Sequence, residues 1–319
     1  MLSRVADSLY WMSRYLERAE HTARLVDVSL NLLLDEPSDH GPVNWRRLLR
    51  SLDTPAPESG EEGYSIAYTL CFDEGNVNSI VRSVAAAREN ARQIREQISS
   101  EMYEHLNKMH LDLQRVDPMA VWNDQPHLFF QQIKDNAHLF QGITDSTLNH
   151  GQDWWFIQLG RAIERANNTS ALLSVYFDEP PAPLDSDSET GGYLKWVGLL
   201  KSCSAFEAYC KYHRGGIRPE RIAEFLVLDG DFPRSVRHCI DTVHKSLDNI
   251  TQDTGALRAV KANRLAGKLQ AQLAFSTIDD ILTEGLPPFL QSIEDQCAAI
   301  HEAIYHVYIG YSVEDLTAM

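Results

Sequence analysis

The chain has 319 residues, 44% of them hydrophobic and 23% charged, a balance that excludes a disordered or membrane class and allows about two domains, each with its own core. With 29 Lys and Arg against 45 Asp and Glu the net charge is −16, which argues against a general nucleic-acid binder, because duplex affinity comes largely from neutralising phosphates. No apolar run reaches the roughly 18 residues of a membrane span, no basic-then-apolar leader opens the chain, and the five cysteines lack any CxxC pair, so reduced, mostly buried thiols and a cytoplasmic location are expected.

In chain order, Leu9, Met12, Leu16, Ala19, Ala23, Val26, Leu30 and Leu33 follow an alternating 3-4 spacing, which predicts one long packed helix. It runs into Asp35-Glu36-Pro37, where proline stops it. A second helix carries Trp45, residues 54–63 form an exposed loop, and a short helix over Tyr64 to Phe72 leads to a turn at Asp73. Residues 78–116, rich in Ala, Gln, Leu, Arg and Glu, favour long helix up to the break at Asp117-Pro118, and a final helix of this half lies near 126–149.

The pattern then returns. Arg14-Tyr15-Leu16-Glu17-Arg18-Ala19 is answered by Arg161-Ala162-Ile163-Glu164-Arg165-Ala166, an offset of 161 − 14 = 147. The second seam is Phe156, Leu159, Ile163, Ala166, Ser170, Leu173 and Phe177, ending in Asp178-Glu179-Pro180. Further blocks match in order: Trp45 with Trp196 (196 − 45 = 151), Asp73 and Ser79 with Asp229 and Ser235 (229 − 73 = 156), and Phe129 with Phe289 (289 − 129 = 160). A loop over 180–192, a short helix over Glu220 to Leu228, helices over 233–275 and a last one near 287–309 complete the set, about ten helices in all. A period near 150 residues is too long for a solenoid unit. The expected fold is therefore all-α, a duplicated helical bundle of about five helices per repeat related by a pseudo-twofold axis, with repeats at 1–150 and 151–319 packed as one compact unit.

A repeated core is what any duplicated helix needs, whereas a repeated Arg-x-x-Glu-Arg set is not. Arg14 and Arg18 lie one turn apart on the side away from the apolar seam, on a face that also carries Tyr10, Leu25 and Leu32, with Leu172 in the second copy. Three readings stand side by side: a solvated face of weak ion pairs, a buried ion network in which Glu17 and Glu164 pair arginines across the axis, and a ligand cleft in which Arg14, Arg18, Arg161 and Arg165 take a carboxylate or phosphate while Glu17 or Glu164 holds an amine or serves as general base. Asp73 with Ser79, and Asp229 with Ser235, precede helices and either cap them or, with Arg82 and Arg234, make anion sites at helix N-termini. A carboxylate-bridged dimetal site is not expected, because Asn167 and Asn168 stand where the first copy has Glu20 and His21. Nor do the histidines form a ligand motif or the glycines a phosphate loop, so no metal or cofactor is implied. Cys203 and Cys210, seven apart, are expected in the core.

The opening Met1-Leu2-Ser3-Arg4-Val5-Ala6-Asp7-Ser8-Leu9-Tyr10-Trp11-Met12-Ser13-Arg14-Tyr15-Leu16-Glu17-Arg18-Ala19-Glu20, with Arg161-x-x-Glu164-Arg165-Ala166 and Phe232-Pro233-Arg234-Ser235-Val236, resembles the bacterial alpha-E family over the whole chain. The resemblance implies a wholly helical fold and a partner, since members tend to be encoded beside, or fused to, a circularly permuted ATP-grasp-like ligase, with a transglutaminase-like protease and sometimes the Anbu proteasome relative. It places the family's charged motif on Arg14, Glu17, Arg18, Arg161, Glu164 and Arg165. Three functions are thus expected alternatives: an accessory subunit offering an arginine/glutamate-lined cleft to an acidic or peptide-like ligand, a stand-alone enzyme of amide transfer or hydrolysis using Glu17 or Glu164, and a purely structural bundle. The mismatch at Glu20 and His21 makes any site asymmetric, with the first copy expected to carry it.

Overall fold

A computed structural model describes residues 3–35, 41–57, 63–178, 188–254 and 260–309, and among them every regular element is a helix. Two long helices, α1 (Ser3–Asp35) and α8 (Gln152–Asp178), form the centre. After α1 come α2 (Gly41–Ser51), α3 (Gly63–Cys71), α4 (Ile80–Gln93), α5 (Ser100–Leu113), α6 (Pro118–Asn123) and α7 (Pro126–Thr147). After α8 come α9 (Ser188–Ser202), α10 (Phe206–Tyr212), α11 (Pro219–Leu228), α12 (Val236–Thr254), α13 (Val260–Phe275), α14 (Ile278–Glu284) and α15 (Leu286–Ile304), closed by one π-helical turn, Tyr305–Ile309.

The fifteen α-helices among the described residues exceed the expected ten for local reasons. The stretch 78–116 divides because Ser99 caps a fresh start, its hydroxyl accepting the Met102 N–H, while Asp117-Pro118 and Thr277 start the short α6 and α14. The stretch 233–275 divides between α12 and α13. Ser188 to Gly192, expected in a loop, already belong to α9, and the rest of that loop up to residue 187 lies outside the described residues. Of the loop 54–63, residues 58–62 lie outside them too, Thr54 is buried and Gly63 opens α3. α1 and α8 end at Asp35 and Asp178; Glu36, Pro37, Glu179 and Pro180 lie outside the described residues. Cys210 is exposed on α10, while Cys71, Cys203, Cys239 and Cys297 are buried.

Packing follows the same plan on both sides. α1 packs on α4 and α7 while α8 packs on α12 and α15, and the outer contacts α4 on α5 and α5 on α7 have their parallels in α12 on α13 and α13 on α15. Each long helix also meets the tryptophan helix of the other half, α1 with α9 and α2 with α8. The seam residues Leu9, Met12, Ala19, Ala23 and Val26 are fully enclosed, as are Leu159, Ile163, Ala166 and Leu173, and one continuous core joins both halves. α1 and α8 touch at Gly160, where a Cβ would lie 2.3 Å from both the Tyr10 carbonyl oxygen and the Ser13 hydroxyl, so only glycine allows this approach.

α2 and α9 stop in the same way. Asp53 (φ 45°) and Ser204 (φ 51°) are the non-glycine residues of positive φ among the described residues, and 204 − 53 = 151 is the separation of the two tryptophans. The next amide in each case reaches back to the helix, Thr54 N–H to the Leu49 carbonyl at 3.0 Å and Ala205 N–H to the Leu200 carbonyl at 2.7 Å, a Schellman closure.

Candidate functional site

The face of α1 opposite its seam packs against the corresponding face of α8, with Tyr10, Leu25, Leu32 and Leu172 buried, which excludes the solvated-face reading. There the two Arg-x-x-Glu-Arg sets exchange partners. Glu164 accepts the Nε–H of Arg14 on one oxygen and that of Arg18 on the other, both at 2.7 Å. Glu17 accepts both the Nε–H (2.7 Å) and Nη2–H (2.8 Å) of Arg165, a side-on bidentate pair, and a weaker contact from Arg234 at 3.3 Å. Both carboxylates are buried. Burial alone would raise their pKa values, but Arg165 and Arg234 beside Glu17, and Arg14 and Arg18 beside Glu164, overcome it and hold both groups well below the usual carboxylate range.

What surrounds the two carboxylates differs. On the Glu17 side, Glu20 binds Arg24 on one oxygen and Arg234 on the other (2.9 Å), and Arg24, His21 and Arg234 fill the space between the helices. Burial, aided by Arg234, pushes the pKa of His21 down to about 4, so the ring is neutral, and burial with Arg234 lowers that of Arg24 to about 10. On the Glu164 side the positions that match Glu20, His21 and Arg24 at the offset of 147 are Asn167, Asn168 and Ala171, and Asn78 matches Arg234 (234 − 78 = 156). Three charges and a ring are replaced by amides and a methyl group. The space left is a cleft of about 340 Å³ lined by Arg14, Arg18, Asn78, Glu164, Asn167 and Asn168, with Thr22, Ser51, Asp53, Ala171 and Glu294 around them.

In that cleft each arginine keeps one arm free. Arg18 gives Nη1–H to Asn78 at 2.9 Å, and Arg14 gives Nη1–H to the Tyr10 hydroxyl at 3.3 Å and faces His301 Nδ1 at the same distance. Neither Nη2 has a partner among the described residues. Tyr10 and His301 stack and share a 2.9 Å hydrogen bond; burial pushes the phenol up to about 12, and burial with the Arg14 charge pushes the imidazole down to about 4. Arg161, the counterpart of Arg14, faces Ile157 and Gln141 instead, bonds to Gln158, and is lowered to about 10 by burial and by Arg165.

The other candidates lie elsewhere. Asp73 accepts the Gly75 N–H at 2.8 Å and Ser79 donates to the Asp73 carbonyl at 2.7 Å while capping α4. Asp229 and Ser235 repeat this, with the Asp231 N–H at 2.9 Å, the Ser235 hydroxyl on the Asp229 carbonyl, and the His238 N–H on Ser235. These four residues thus tie turns to helix starts, and Arg234, expected to help bind an anion there, points into the Glu17–Glu20 network instead. Sequence reasoning missed Asn78, Arg24, Glu294, Tyr10 and His301 as parts of the site. Arg24 and Asn78 could have been found as the unmatched partners of Ala171 and Arg234 in the repeat alignment; nothing in the sequence signals that His301 meets Tyr10 across 291 positions.

An all-α bundle with a shared arginine–glutamate centre is thus the class of protein defined here. The chain belongs to the Alpha-E family, described as a predicted alpha-helical domain with a conserved ER motif, whose model matches residues 1–309. Glu-Arg pairs stand at Glu17-Arg18, Glu164-Arg165 and Glu220-Arg221, the first two of them at the centre. It is similar to the uncharacterised protein Mb2597 of Mycobacterium bovis and to Rv2567 of Mycobacterium tuberculosis, each 22% identical over 95% of this chain. The chain spans only 36% of the length of those relatives. No solved structure matches it.

Proposed function

We propose that this chain is a helical accessory or partner subunit of an ATP-grasp-like ligase system that makes or modifies peptides or amides, and that the cleft over Arg14, Arg18 and Glu164 receives an acidic or peptide-like ligand. The observation that carries the ligand reading is the contrast within one molecule: the same motif is sealed by a salt-bridge network around Glu17 and left open around Glu164. Two guanidinium groups with free N–H arms at an open cleft are suited to carboxylate or phosphate. The ligase partnership is supported by family membership and by the greater length of the relatives, which leaves room for a further unit beside the helical one.

The two helix runs are, on this proposal, copies of one unit. The shared Schellman ends, the twin Asp–Ser turns and the parallel packing support it. The copies have divided the work, with the Glu17 side keeping the register of the bundle and the Glu164 side binding. A general-base role for either glutamate is disfavoured, because a base needs a free lone pair and a pKa near the working pH, whereas both are held ionised with their oxygens engaged by arginine. A location in the cytoplasm accords with the free thiols.

The test is to purify the chain together with an ATP-grasp-like ligase from the same organism. Copurification, together with a change in the ligase's ATP turnover that is lost in Arg18→Met, is expected. If the two neither associate nor alter ATP turnover when mixed, the partnership is wrong.

A further inference from the structure

The cleft carries charge of both signs that does not neutralise itself. At one end stand the free Nη2 arms of Arg14 and Arg18. Elsewhere on its wall is Glu294 of α15, which makes no ion pair with either arginine, and whose Oε1 is shielded from solvent and has no hydrogen-bond partner. Burial, then the neighbouring Asp295, raises the pKa of this carboxyl, the opposite of what an arginine in contact would do. Two further polar atoms on the lining are shielded and unpartnered: the hydroxyl of Thr22, a residue only 1% exposed, and the Asn168 side-chain amide nitrogen. Buried polar atoms are seldom left without partners unless something else satisfies them. On the Glu17 side His21 Nε2 and Arg24 Nε are likewise shielded and without partners, so what sets the cleft apart is its unpaired carboxylate. The position matching Glu294 is Lys134 (294 − 134 = 160), and it is spent on Asp27 at 2.6 Å.

Resting on the reading of this cleft as the ligand site, we propose that it binds a zwitterion, the free α-amino acid or short peptide, with its carboxylate on Arg14 and Arg18 and its ammonium on Glu294. A simple dianion would fit the arginines and leave the Glu294 oxygen facing a negative charge. A zwitterion supplies an acceptor to the arginines and a donor to Glu294 at once. The volume of about 340 Å³, at the small end of ligand pockets, suits one or two residues and not a folded chain.

Calorimetric titration of the full chain with L-alanine, L-alanyl-L-alanine, its N-acetyl derivative, its C-terminal amide, and glutarate tests this. The free dipeptide or the free amino acid is expected to bind, whichever spans the two ends, and blocking either terminus should weaken it about 10- to 100-fold, the worth of one charge-assisted contact. Glu294→Gln should remove the penalty for acetylation alone, and Arg18→Met the penalty for amidation alone. Asn168→Trp, which fills the cleft without touching a charge, should abolish binding and serves where Arg18→Met fails to fold. Equal binding of free and blocked peptides, or binding that survives Asn168→Trp, overturns the proposal. Glutarate binding without either zwitterion overturns it while leaving the acidic-ligand reading of the cleft intact. If no probe binds, both readings of the cleft fail, and the ligase association stands or falls on its own assay.

Discussion

The Glu17 and Glu164 sides of the α1–α8 contact start from the same Arg-x-x-Glu-Arg set and differ in the residues around it. Where Glu20, Arg24 and Arg234 meet, the carboxylate bridges the two guanidinium groups between the helices; where Asn167, Asn168, Ala171 and Asn78 stand, the arginines line a cleft. The lesson is that a charged motif does not itself make a binding site. Its neighbours decide whether it becomes a lock between helices or a receptor.

The largest expected effect comes from removing one central carboxylate. Glu17→Gln leaves Arg165 buried without its counter-ion and Arg234 with Glu20 alone, and should cost about 3–5 kcal/mol of unfolding free energy. Glu164→Gln should cost less, since water in the cleft can solvate Arg14 and Arg18. Urea denaturation of both variants measures the difference, and equal losses would erase the contrast between the sides.

Acid separates them next. His21 is neutral in the fold, with a pKa of about 4 against 6.5 when free. Between those values the unfolded chain takes up a proton that the folded chain refuses, so stability is complete above pH 6.5 and is lost as pH falls towards 4, by on the order of 3 kcal/mol from this group. His21→Asn, the residue of the open side, should flatten the pH dependence of the melting temperature over that interval. An unchanged slope would show that the ring is already solvated.

Gly160→Ala tests the contact that both sides share. A methyl group cannot be placed 2.3 Å from the Tyr10 carbonyl oxygen without moving α1 off α8, so a loss of about 1–3 kcal/mol is expected. The matching change at Gly198, where the near atom is a Leu32 methyl at 2.6 Å, should cost less because a side chain can turn aside. The two melting temperatures compare them directly.

The smallest effect should come from the largest substitution. Converting Glu20→Asn, His21→Asn, Arg24→Ala and Arg234→Asn together removes the whole plug, and its stability should lie closer to the parent than that of Glu20→Asn alone, which strands two arginines. Calorimetry with the dipeptide should still report one binding event per chain, because Lys134 stands where Glu294 holds the ammonium on the open side.

Much of the helical plan was legible from periodicity. The seam from Leu9 to Leu33, the prolines at Pro118 and Pro126, and the ordered matches at Trp45/Trp196 and Phe129/Phe289 lead to the observed elements, because apolar spacing and helix breakers act locally. The splits at Ser99 and in 233–275, and the exposure of α10 with Cys210, were not legible. A cap competes with continued helix by about 1 kcal/mol, too little for composition to reveal. The exchange of Glu17 and Glu164 between the two helices was one of three readings that the repeated motif left open. Which surroundings would be open was not legible: Glu20 and His21, which point to the first half, lie on the closed Glu17 side, while the cleft joins Arg14 and Arg18 of that half to Glu164 of the other. Charged residues attract functional interpretation, yet here the vacancy is made by what is small and neutral.

The reciprocal pairing of Arg18 with Glu164 and Arg165 with Glu17 has the form of an isologous interface, in which a residue meets its partner's equivalent and is met by it in return. Neither long helix completes that exchange alone: each glutamate takes an arginine from the other helix. Two identical subunits share this kind of geometry, whereas in one chain the two sides are free to differ. Covalent linkage is thus what permits one glutamate to be sealed and the other left open, an asymmetry that no strictly symmetric homodimer of the same fold could hold.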